Sequence, residues 1–88
     1  DYTRALRIDP DYHSAYYNRG RSYLELGNNE ECIADNIRAI RINPDHSDSY
    51  RNRGIAKENL KFSYCSDYKK CCDLGDEECC EWYYKQCR

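Results

Sequence analysis

The chain has 88 residues, 40% of them hydrophobic and 34% charged, with two prolines and four glycines, a balance that excludes a disordered or fibrous protein and leaves room for at most one small domain. The formal charge is −2, so no overall basic field exists to draw nucleic acid, and no apolar run reaches the length of a membrane span. Seven cysteines are present, six of them after residue 64, which confines cysteine chemistry to the C-terminal third.

Residues 1–8 read as the end of a helix with Tyr2, Ala5, Leu6 and Ile8 on its packing stripe, stopped by Asp9 and Pro10. A second helix is expected over about 13–26, where Tyr16, Gly20, Tyr23 and Leu24 recur at helical spacing. Gly27 ends it, and Asn28 with Glu31 three residues on has the form of a capping box. The third helix, about 29–42, carries Cys32, Ile33, Ile37, Ala39 and Ile40, and Asn43 with Pro44 closes it. A fourth, about 47–60, presents Tyr50, Gly54, Ala56 and Leu60. Ser63 is the expected N-cap of a fifth, and residues 77–88 form a last helix containing Trp82.

These elements repeat. Residues 1–20 laid over 35–54 match Arg4 with Arg38, Ala5 with Ala39, Ile8 with Ile42, Pro10 with Pro44, Tyr16 with Tyr50, Asn18 with Asn52, Arg19 with Arg53 and Gly20 with Gly54. Beyond Leu60 the pattern resumes two residues early, Asp67 answering Asp35, which implies a shortened turn. Self-similarity of this period specifies an all-α fold, an α-solenoid of stacked antiparallel helix pairs. The divisions are 1–10, the end of a truncated unit; 13–46, a full unit; 47–76, a shortened unit; and 77–88, a capping helix. Because Asp1 aligns with the middle of a unit, the chain reads as a piece of a longer array.

Seven-residue spacings set the cysteines on two consecutive helices. In an antiparallel hairpin centred near residue 76, Cys65 faces Cys87 and Cys72 faces Cys80. Axes about 8 to 10 Å apart with Cα radii of about 2.3 Å leave facing Cα atoms roughly 3.5 to 5.5 Å apart, a range that overlaps the disulfide window. Two disulfides would staple the terminal helix to its neighbour, placing the protein outside the cytoplasm; the alternative is cysteine used as a small apolar residue, with free thiols and a cytoplasmic setting. A single zinc ion is disfavoured, since ligands seven apart on a helix are separated by about 10 Å. No Cys-x-x-Cys motif, phosphate loop or acidic metal loop appears. His13 and His46 stand isolated and read as surface residues, and the cluster Arg38, Arg41, Arg51 and Arg53, interleaved with acids, reads as a solvated mixed-charge surface.

The chain resembles the tetratricopeptide repeat family, whose pattern is Trp-x2-Leu-Gly-x2-Tyr, then Ala-x3-Phe, then Pro. Tyr16, Gly20, Tyr23 and Pro44 stand at matching places in one unit, Tyr50, Gly54 and Tyr68 in the next, and Trp82 in the last. Tyr16-Tyr17-Asn18-Arg19-Gly20 and Ala39-Ile40-Arg41-Ile42-Asn43-Pro44 are similar to bacterial-type members. Arg19 and Arg53 depart from the pattern at the Leu position, Cys32 and Tyr64 at the Ala, Asn36 at the aromatic, Lys57 at the Tyr and Asp76 at the Pro.

The resemblance implies a non-enzymatic module without cofactor or metal that binds a protein or peptide segment in a concave groove. By position the groove residues are Ser14, Tyr17, Asn18, Arg21 and Leu24, then Asp48, Arg51, Asn52 and Ile55, and finally Tyr83. Asn18 and Asn52 either bond successive main-chain amides of an extended ligand or support neighbouring helices. The family's carboxylate-clamp subclass fits poorly, because Tyr17 stands where a clamp lysine belongs and Arg21 where an asparagine does. The other reading the resemblance leaves open is a structural array that associates with missing repeats or another copy through the edge formed by Tyr2, Leu6 and the first full pair.

Overall fold

The computed structural model describes residues 2–88, and all regular structure among them is helical. Six helices follow in order: α1 (Tyr2–Ile8), α2 (His13–Glu25), α3 (Asn29–Ile42), α4 (Ser47–Asn59), α5 (Cys65–Asp73) and α6 (Glu77–Gln86). Each packs on its neighbour in the chain, and α2 also touches α4, giving an elongated stack of 42 × 24 × 16 Å. This is an all-α solenoid of sequential antiparallel pairs. Among the described residues no helix is long and apolar enough to cross a membrane.

Two kinds of turn build the stack. Pro10 and Pro44 follow α1 and α3, where a missing N–H cannot continue the helix. The ends of α2, α4 and α5 instead close in Schellman motifs: Asn28 donates its backbone N–H to Tyr23 O at 2.8 Å, Phe62 to Lys57 O at 2.8 Å and Asp76 to Cys71 O at 3.0 Å. The left-handed residue is Gly27 (φ 80°) in the first, Gly75 (φ 108°) in the third and Lys61 (φ 62°) in the second, a conformation that costs a residue with a Cβ.

Several local expectations are corrected. Asn28 forms no capping box; its side chain makes no cap hydrogen bond, because its backbone is committed to the end of α2. Ser63 is not the N-cap of α5. Tyr64 takes that place, its carbonyl accepting from Asp67 and Tyr68 at 3.1 and 3.2 Å. The two missing residues come out of the helix rather than the turn, since the connection lengthens from 26–28 to 60–64 while α5 has 9 residues against 14 in α3. Ile8 and Ile37 point to solvent, 79% and 38% exposed, and Tyr2 is 41% exposed, so of the first stripe Leu6 alone is buried.

The apolar core sits in the C-terminal half, where Tyr50, Tyr68, Cys71 and Cys79 pack with Trp82, Tyr83 and Leu74 around them. Tyr68 lies against Gly54 so closely that a Cβ there would meet its ring at 2.6 Å. Gly20 receives Asn36 in the same way, its Nδ2 at 2.6 Å from the position of a Cβ. The departure at Asn36 therefore keeps the packing register while exchanging an aromatic ring for a buried amide.

Both arginines at the family's Leu position are ion-paired across a helix pair. Arg19 reaches Asp35 with Nε at 2.8 Å and Nη2 at 2.7 Å. Arg53 reaches Asp67 with Nη2 at 2.6 Å and Nε at 3.0 Å, and Lys57 adds a contact at 3.2 Å. Asp35 and Asp67 are buried, so the guanidinium fork supplies the partner that a buried carboxylate requires.

Candidate functional site

The first helices of successive pairs, α2 and α4, lie side by side and enclose a cavity of about 290 Å³ lined by Tyr17, Arg21, Asp48, Arg51, Asn52 and Ile55. Helical geometry explains the set. Tyr17 and Arg21 are one turn apart on α2, and Asp48, Arg51, Asn52 and Ile55 share a face of α4 at spacings of three and four. Six residues expected in a groove, Tyr17, Arg21, Asp48, Arg51, Asn52 and Ile55, thus border one space. Ser14, Asn18, Leu24 and Tyr83 do not line it: all four are half-buried, and Tyr83 packs against the core and beside Tyr84, ring centroids 5.7 Å apart.

The lining side chains differ in how free they are. Arg21 is exposed and meets Glu25 at 3.4 Å on its own helix, a loose surface pair. Arg51 is committed to α6, lying 3.6 Å from Asp76, 3.1 Å from Glu78 and 5.2 Å from the centre of the Trp82 ring. Asn52 is 8% exposed, and its Nδ2 has no protein partner. A buried amide donor without a partner is costly unless something outside the fold accepts its hydrogen bond. Behind it, the Cys32 thiol contacts Asn52 O at 3.7 Å, and burial pushes this thiol up to about 11.

The two histidines are not isolated. Their rings meet edge to face with centroids 5.0 Å apart, and His46 meets Tyr17 at 4.8 Å. His13 opens α2 and His46 caps α4; the sequence signal was their place at the starts of successive first helices, which side-by-side packing turns into contact. The basic cluster is also divided, with Arg53 paired to Asp67, Arg51 to α6 and Arg38 to Asp35 at 3.1 Å. Arg38 and Arg41 border a second cavity of about 230 Å³ with Asp11 and Tyr16.

At the C-terminal end, Cys65 is bonded to Cys87 and Cys72 to Cys80, with Cα separations of 5.7 and 4.5 Å. A third bridge joins Cys71 to Cys79, with Cα atoms 5.8 Å apart. Cys71 and Cys79 are buried in the core while Cys72 and Cys80 are half-buried, so neighbouring residues of α5 reach α6 at two depths. Cys32 is the remaining free thiol. With six sulfurs in bridges, this cluster offers no thiolates to a metal.

Residues 13–46 match the family model of the tetratricopeptide repeat. Comparison with curated proteins gives no match. Among solved structures, the Arabidopsis OM64 TPR domain is similar with a TM-score of 0.88 and 24% identity over 96% of this chain and 73% of that one. The first TPR of Spaghetti (RPAP3), bound to the HSP90 peptide SRMEEVD, is similar with a TM-score of 0.88 and 24% identity over 96% of this chain and 70% of that one. The chain has the fold of tetratricopeptide domains.

Proposed function

We propose that this chain is a protein-interaction module that holds an extended peptide or protein segment in the groove between α2 and α4. The observation that carries the reading is the cavity lined by Tyr17, Arg21, Asp48, Arg51, Asn52 and Ile55, with the unpartnered Asn52 amide among its walls. A main-chain carbonyl is the natural acceptor for a donor of this kind, Tyr17 and Ile55 offer apolar contact, and Arg21 with Asp48 gives charge selectivity at the rim. The structural neighbour bound to SRMEEVD supports peptide binding on this fold. Tyr17 and Arg21 argue for a different ligand here, since they replace the lysine and asparagine of the clamp that the resemblance would require.

A library of displayed random peptides, panned on the disulfide-bonded chain, is expected to yield binders whose affinity falls about tenfold with Arg21→Ala or Asn52→Ala, the size of a typical interface contact. Arg21 is exposed, so its variant keeps the wild-type melting temperature, whereas Arg51→Ala would also loosen α6 and is a poor probe. SRMEEVD itself is expected to bind far more weakly than the selected peptides. A failure to enrich any peptide, or binders indifferent to both substitutions, overturns the reading.

A structural role is the second reading, favoured by the exposure of Tyr2, Ile8 and Tyr12 at the α1 end. Its signature is a mass that rises with concentration in light scattering.

A further inference from the structure

We propose that His46, packed between His13 and Tyr17, is a proton-operated control on the groove: the neutral imidazole holds the starts of α2 and α4 together, and its protonation parts them and displaces Tyr17. The proposal rests on the groove reading, because Tyr17 is both a groove wall and a partner of His46.

The surroundings of His46 favour its neutral ring. Asn43 Oδ1 accepts the Asp45 backbone N–H at 3.3 Å, which turns the Asn43 amide so that Nδ2 faces His13 Nε2 at 3.5 Å. His46 Nδ1 lies 2.8 Å from Oγ of the fully buried Ser49. His46 also stands at the N-terminal end of α4, where the helix dipole disfavours a cation. The groups that face it are His13 and Tyr17 from α2, and Asp48 and Ser49 from α4.

Burial lowers the His46 value below that of an ordinary imidazole, Asp48 opposes the shift and His13 adds to it. The sign follows from linkage. The unfolded chain takes up a proton at this site more readily than the folded one, so the contribution to stability is complete above about pH 6.5 and is lost as the pH falls from there through the lower folded value. The same fall in pH separates the helix starts that frame the groove.

The test begins with the free protein, whose only two histidines give resolvable ring signals in NMR. The expected result is that His46 titrates below the ordinary imidazole value, that Tyr17 ring resonances move along the same curve, and that His13→Gln raises the His46 value. With His46→Gln the acid step in thermal stability disappears. Peptides selected for the groove are expected to lose affinity severalfold as the pH falls from about 7.5 through the His46 titration in the wild type and not in His46→Gln. A His46 that titrates at the ordinary value with Tyr17 unmoved overturns the proposal. So does peptide affinity that ignores pH, which leaves the groove reading standing. A chain that binds no peptide at either pH removes both.

Discussion

A carboxylate taken out of water must be met by a cation in fixed geometry, and one that loses its partner destabilises the fold by about 3 kcal/mol or more. Asp67 is met by Arg53 and Lys57, and Asp35 by Arg19 and Arg38. Each arginine also lies over the tyrosine three residues before it, Arg19 over Tyr16 at 5.8 Å and Arg53 over Tyr50 at 5.7 Å, so the repeated unit is a triad of tyrosine, arginine and aspartate spanning two helices. The expected outcome for Arg53→Leu is a loss of about 3 kcal/mol, because Asp67 is left with Lys57 alone. The double variant Arg53→Leu with Asp67→Ala is expected to lose much less, since removing both charges together removes the desolvation penalty with the pair. Urea titration of the two variants checks this, and additive losses would show that the residues do not act as a pair.

At the scale of helices and turns, the sequence carried the order of six helices because proline, glycine and the repeated Tyr-x3-Gly motif mark the ends and the closely packed faces. The cap at Asn28 and the start of α5 were misread because each depends on a backbone hydrogen bond from the preceding turn, which side-chain identity does not encode. The pairs Arg19 with Asp35 and Arg53 with Asp67 were visible only as departures from the family pattern, since the partner lies on another helix. The residues that line the cavity were reached through the family resemblance, while the His13 and His46 contact required the lateral packing of α2 on α4. Pairing six cysteines onto two helices gives a direct check: alkylation of the native, unreduced chain is expected to label no cysteine, because Cys32 is fully buried. Unfolding without reduction should expose one thiol and reduction all seven. Any larger number before reduction would mean that the bridges are incomplete. Bridges of this kind persist in oxidising compartments, so the thiol count also reports the setting in which the cap is used.

In a linear array each helix is stabilised by its immediate neighbours, so the two ends of the molecule set where it opens first. The α1 end is weak: its helix is seven residues long, buries Leu6 and packs on α2. The opposite end is tied three times, and the outer bridge between Cys65 and Cys87 closes a loop whose entropy corresponds to about 3 kcal/mol. The two inner bridges span the same short hairpin, so the second adds little once the first is closed. Arg51 carries this anchoring inward by tying α4 to Asp76, Glu78 and Trp82. Amide hydrogen exchange is therefore expected to be fastest in α1 and slowest across α4 to α6 in the oxidised chain. Reduction under native conditions should bring α6 to the exchange rate of α1 and accelerate α4, while α2 and α3 change little. Uniform protection along the oxidised chain, or a C-terminal half indifferent to reduction, would show that packing of Tyr50, Tyr68 and Trp82 holds that end without help from the disulfides.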